Sequence, residues 1–260
     1  MKEKTIENAW SILLKFGKEE NLQKLQAGQF YMKNLQYYVD LEKGTSDEDV
    51  GDMYDGQMML QDVKISVFTT DTHEFLGQIS APTASFNLGY LKCPVFCMFM
   101  MDYRNHVSER LDGDTLTVRY QFTEEQLAKM PSFGDSVLII KNADEFFNRV
   151  KDALLANNIG YSRDFVSYYG FNNVDHLKQI QKDNLRIAFW KRQKYEYQQE
   201  YRLVAHTEVD DYLCVEIGDN FSTLPPCCRG GLLYCPQKEE HGGQINGRRS
   251  TTGKRCALWR

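Results

Sequence analysis

Apolar and polar positions alternate in short blocks from the start of the chain. AWSILLKFG is a short apolar run of strand character. KEENLQKLQAG then sets Leu22 and Leu25 at helical spacing and closes on Gly28, a good residue to end a helix. QFYMKNLQYYVDLE returns to a strand-like mixture, so strand, short helix and second strand are predicted in that order. From Glu42 to Gly56 the pattern becomes acidic and glycine-punctuated (EKGTSDEDVGDMYDG), which predicts an exposed loop.

The next stretch is rich in β-branched and aromatic residues. MMLQDVKISVFTT, THEFLGQIS, PVFCMFMM and TLTVRYQF, separated by turn signals, predict an antiparallel sheet. A short helix, TEEQLAKM, has Thr123 as its cap with Gln126 three residues on, and the strand SVLIIK follows. The clearest helix starts at Asn142 with Glu145 three residues later and runs to about Gly160. In it Phe146, Val150 and Leu154 repeat every four residues as one apolar stripe. DFVSYYG, LRIAFWKRQ, YEYQQEYRLVAHT and YLCVEIG are predicted as further strands, with HLKQIQKD as a helical turn. The pattern predicts an α+β fold: a mainly antiparallel mixed sheet with a few packed helices, in one domain over residues 1–226. Residues 227–260 are predicted to be an irregular, disordered basic tail.

Composition supports a single core, because 260 residues with 42% hydrophobic content approach the upper size for one domain. The net charge of −5 is unevenly placed. After Pro236, Lys238, Arg248, Arg249, Lys254, Arg255 and Arg260 outnumber Glu239 and Glu240, so the body is more acidic than the total. An acidic body argues against broad nucleic-acid binding, which draws on clustered Lys and Arg. No apolar run reaches the length of a membrane span, and MKEKTIENAW has no apolar segment of a secretory signal, so a cytoplasmic protein is expected. The odd set of seven cysteines in a chain of this size reads as free thiols. Cys227, Cys228, Cys235 and His241 lie close together in sequence but lack the paired short spacings of a zinc site.

Phosphate-loop, dinucleotide-turn, metalloprotease and nucleophile-elbow motifs are missing from the sequence. Asp47, Asp49 and Asp52 resemble the start of a calcium loop, but Asp52 and Met58 stand where such a loop needs Gly and Glu, so no metal is expected. KRQKYEYQQEYRLV carries chemistry more readily. As a strand from about Tyr195, its period of two would put Gln198, Glu200 and Arg202 on one face. The alternative is a solvent-facing edge with Glu200 and Arg202 paired to neighbours.

LLKFGKEENLQKLQAGQFYMKNLQYYVDLE, GDMYDG and KYEYQQEYRLV, in this order, resemble a widespread family of bacterial and phage proteins with an aromatic-basic first strand, a short ENL..L..G helix and a late K..Y.YE.EYRL strand. The layout also resembles the ADP-ribosyltransferase scaffold, whose late strand carries Q-x-E, matched here by Gln198-Gln199-Glu200. The resemblance implies NAD as co-substrate, Glu200 as catalytic carboxylate and Gln198 as the residue that positions the acceptor. It places Lys15, Phe16, Tyr31 and Arg202 around the dinucleotide. Lys15 stands where that scaffold has Arg or His and lacks the bidentate geometry of Arg, although it can hold a phosphate as a point charge. The implied function is transfer of ADP-ribose to a macromolecule, in a bacterial or phage conflict setting. Two alternatives stand beside it: a non-enzymatic protein-binding module on the same scaffold, and a metal-dependent nuclease built on Glu196, Glu200, Lys191 and Lys194.

Overall fold

The computed structural model describes residues 12–44, 50–112, 115–172, 174–219 and 227–228. The chain opens with β1 (Ile12–Gly17), α1 (Glu19–Gln26) and β2 (Gln29–Asn34), as its pattern predicts. Gly28 makes the turn between α1 and β2 at φ +100°, where a Cβ would lie 2.8 Å from the carbonyl carbon of Gly218. The expected second strand is shorter than its apolar run, because Leu35–Gly44 forms helix α2. Leu35 and Val39, four residues apart, bury one face of that helix and outweigh the strand character of Tyr37, Tyr38 and Val39.

Two hairpins follow: β3 (Met58–Phe68) with β4 (Phe75–Phe86), and β6 (His106–Asp112) with β7 (Thr115–Tyr120), separated by β5 (Pro94–Met101). Next come α3 (Glu124–Lys129), β8 (Ser136–Ile140) and α4 (Ala143–Ala156). Thr123 and Gln126 form the predicted reciprocal capping box, and the Asn142 side chain accepts from the Glu145 amide. The remaining elements are β9 (Tyr161–Phe165), β10 (Ser167–Tyr169), α5 (Val174–Lys182), β11 (Trp190–Arg192), β12 (Glu200–Ala205), β13 (Tyr212–Glu216) and β14 (Cys227–Cys228). Two predicted strands begin later than their composition implies. Asn184–Phe189 and Gln193–Gln198 are 3-10 turns that precede β11 and β12.

The main sheet is antiparallel, runs β13-β2-β5-β1-β8-β14, and carries β12 and then β9 beyond β5. It curls into a half-barrel, and the fold is α+β. Phe146, Val150 and Leu154 of α4, each wholly buried, pack on one face against Phe30, Phe96, Leu138 and Leu203. The other face buries Leu14, Phe99, Val137 and Ile139 under Phe122, Met130 and Phe133. Cys227 and Cys228, the first two residues of the expected tail, pair with Val137 and Ser136 of β8. The rest of that tail, with Cys235 and His241, lies outside the described residues, as do Asp47 and Asp49 of the acidic segment.

One irregularity of the sheet, the split pairing along one edge of β5, opens a gap between β1 and β2. β12 occupies one edge of β5 from Val95 to Phe99. β1 and β2 therefore share the opposite edge, β1 at Phe99–Met101 and β2 at Pro94–Val95. Phe96, Cys97 and Met98 lie between them, where β1 and β2 fork apart, with α1 bridging the fork.

Candidate functional site

The fork opens a cleft of about 790 Å³. Phe96, Cys97 and Met98 form its back wall, α1 and β2 its sides, and Lys191, Gln198 and Glu200 close its far end. Five lysines line it (Lys15, Lys18, Lys24, Lys33 and Lys191), and among the described residues Glu200 is its one acidic group. Lys15 sits in the fork itself, donating to the Cys97 carbonyl at 2.6 Å with its ammonium 4.4 Å from the centre of the Phe96 ring. Burial lowers the affinity of Lys15 for its proton, against the pull of Cys97 and Glu200.

Behind the end of the cleft is a buried charge cluster. Arg202, wholly buried, donates to both oxygens of Asp55 (2.8 and 2.9 Å), to Glu200 Oε1 (2.6 Å) and to the Ala188 carbonyl (2.7 Å). Lys191 Nζ lies 2.6 Å from Gln198 Oε1, 3.1 Å from Glu200 Oε2 and 3.8 Å from Asp55 Oδ2. Burial pushes the Glu200 carboxyl up, but the Arg202 and Lys191 charges, with hydrogen bonds from Arg202 and Cys97, hold it well below the usual carboxylate range. Burial also pushes Asp55 up, against the pull of Arg202 and Lys191. The Cys97 thiol, raised to about 12 by burial and the Glu200 charge, is a poor nucleophile.

The turn before β12 sets this geometry. Gln199 adopts a left-handed conformation (φ 39°, ψ 49°), which ends the 3-10 turn and starts the strand at Glu200. Buried Gln126 holds it there, donating to Gln199 Oε1 at 2.8 Å and to the Tyr197 carbonyl at 3.0 Å. Gln198 and Glu200 therefore do not share a strand face by period two. They meet because both reach Lys191.

The residues singled out from the sequence divide into two groups. Lys15, Phe16, Tyr31, Gln198 and Glu200 all line the cleft. Phe16 is also packed edge-on to Phe99 and Phe122, while Tyr31 is 43% exposed and stacks on Tyr212 at 4.9 Å. Arg202 lies behind Glu200, outside the lining, and acts by positioning it. Of the four nuclease candidates Lys191 and Glu200 meet at 3.1 Å, whereas Glu196 is bonded to Gln193 and Lys194 reaches Glu42. Among the described residues no group of three His, Cys, Asp or Glu side chains is placed to hold a metal ion.

The acidic segment differs most from its sequence appearance. Asp52 and Asp55 are buried, not exposed. Asp52 accepts from Arg192 at 2.7 Å, Glu42 accepts from Arg192 at 2.6 and 2.9 Å, and Asp55 clamps Arg202. These partners lie about 140 to 150 positions away, so local composition carries no signal of the pairing. Lys33 and Tyr212 were also not singled out; Lys33 sits within 5.8 Å of the Tyr31, Tyr37 and Tyr212 ring centres. Among the described residues no helix is long and apolar enough to cross a membrane. Comparison with protein families, curated proteins and solved structures found no match.

Proposed function

We propose that the fork cleft takes NAD and that the protein transfers ADP-ribose from it to a macromolecule, with Glu200 as catalytic carboxylate. The lining of the cleft carries this reading: five lysines, aromatic walls and one acidic group, Glu200, at the far end. A dinucleotide brings phosphates and flat rings, which ammonium groups and aromatic faces attract. The volume of about 790 Å³ falls within the roughly 300–1,000 Å³ of small-molecule sites.

In the transfer, the bond from ribose C1′ to the nicotinamide nitrogen breaks and its electron pair stays with nicotinamide. Positive charge builds on the ribose, and the acceptor bonds to C1′ while losing its proton to solvent. A carboxylate fixed in its ionised form beside that charge lowers the barrier without reorganising. Arg202 and Lys191 keep Glu200 ionised and oriented, and Gln198 offers an amide beside it to position the acceptor.

A second reading, a binding module that holds NAD without consuming it, is favoured by one observation. Two cations within 3.1 Å already match the Glu200 charge. Release of nicotinamide, measured beside calorimetric binding, separates the two. Transfer predicts that Glu200→Gln lowers release by about 10²–10³-fold while NAD affinity changes less than about threefold. Binding without release by the parent protein selects the binding module; no binding at all refutes both.

A further inference from the structure

We propose that Tyr31 and Tyr212 form an adenine platform, so that NAD lies across β5 with its adenine at the β2–β13 end of the cleft and its nicotinamide ribose at Glu200. The inference rests on the NAD reading and deepens it by assigning one half of the dinucleotide to each end.

The strand register puts both ends on one side of the sheet. Lys33 lies opposite Val95 and Tyr212, and Glu200 lies opposite Phe99. Residues directly opposite in an antiparallel pair share a face, and Val95 and Phe99 are four residues apart on β5. Tyr31, Lys33, Tyr212 and Glu200 therefore face the same way. The other side of β2 and β13 is packed into the core through Phe30, Met32 and Val215. Four residues along β5 and two strand spacings across it set the Lys33 and Glu200 Cα atoms about 17 Å apart. A mononucleotide is too short for that span, whereas a dinucleotide reaches across it.

The chemistry changes along the span in the order of the parts of NAD. Tyr31 and Tyr212 stack at 4.9 Å between centres with planes 29° apart, yet remain 43% and 52% exposed. Each ring uses one face on the other and leaves its outer face to a further flat ring. Asp211 already pairs with Lys33, so this end offers rings ahead of free charge. Lys15 donates to the carbonyl of Cys97, midway between Val95 and Phe99, and to no carboxylate among the described residues. Its charge is open to the pyrophosphate. Glu200, at the other end, repels phosphate and suits the ribose on which positive charge builds.

Calorimetry of the full chain with NAD, ADP and nicotinamide mononucleotide tests this. Tyr212→Ser should weaken NAD and ADP at least about fivefold, the low end for loss of one base–aromatic stack, and leave nicotinamide mononucleotide unchanged. Tyr212→Phe, which keeps the ring, should bind as the parent does. Tyr103→Ser, at a 56% exposed ring outside the cleft, is the control and should change nothing. Should Tyr212→Ser not fold by circular dichroism, Tyr31→Ser gives the same test. NAD bound equally by the parent and both serine variants overturns the platform and leaves the NAD reading standing. Equal weakening of nicotinamide mononucleotide overturns the orientation. ADP binding that Tyr212→Ser weakens, without NAD binding, keeps the platform and overturns the NAD reading; no binding of either overturns both.

Discussion

Replacing Arg202 by Met isolates the charge cluster behind the cleft. The side chain is wholly buried and gives four hydrogen bonds, two to Asp55, one to Glu200 and one to the Ala188 carbonyl. Methionine keeps most of the volume but leaves two carboxylates with Lys191, 3.1 Å from Glu200 and 3.8 Å from Asp55. Removing one partner of a buried ion pair costs about 3–5 kcal/mol. The remaining lysine puts the expected loss near the low end, about 3 kcal/mol. At about 2–4 °C per kcal/mol for a domain of this size, Tm falls by about 6–12 °C. The loss has a pH signature. A carboxyl deprived of its cation has a raised folded pKa, so its penalty grows as pH rises and is relieved in acid by protonation. Thermal melts followed by circular dichroism should show a larger deficit near pH 8 than near pH 5. A Tm within about 2 °C of the parent at both pH values would refute the cluster as a stabilising unit.

Other outcomes follow from the same contacts. Glu200 is held below the usual carboxylate range, so its contribution is complete above about pH 4.5 and is lost as pH falls through its lower folded value. Urea midpoints should therefore drop in acid more steeply for the parent than for Glu200→Gln, and equal slopes would exclude Glu200 as the cause. Gln126→Leu should lower unfolding free energy by about 2–3 kcal/mol, since Gln126 also accepts from Asn105 and from the Thr123 amide. A urea-denaturation change below about 0.5 kcal/mol would contradict its role in holding the Gln199 turn. Burial makes Lys15 give up its proton more readily than a free lysine, so NAD affinity should weaken between neutral pH and about pH 10, near the ordinary lysine value, in the parent and change less in Lys15→Met. Calorimetry at the two pH values checks this, and parallel behaviour would remove Lys15 from the site.

Much of the frame was legible because its signals are local. Leu22 and Leu25 mark α1, Gly28 ends it, and the spacing of Phe146, Val150 and Leu154 marks α4 and its buried face. The residues of the cleft were partly legible: Lys15 and Glu200, both named from the sequence, line it. The environment of Glu200 was not, for two physical reasons. Gln199 breaks the strand period by turning left-handed, a conformation dictated by contact with Gln126, 73 positions earlier. Asp52 and Asp55 read as solvated acids because their cations, Arg192 and Arg202, come together with them only when the sheet closes. α2 misled for a simpler reason: Tyr37, Tyr38 and Val39 have strand propensity, and only the Leu35–Val39 spacing points to the helix that packs beside the cleft.

Isothermal titration of the purified chain with NAD, repeated on Lys15→Met, tests the cleft most directly. The account predicts saturable one-site binding in the parent, weakened at least about fivefold in the variant at pH 7, with both proteins melting cooperatively before ligand is added. No heat of binding up to millimolar NAD, or equal affinity in the two proteins, would contradict it.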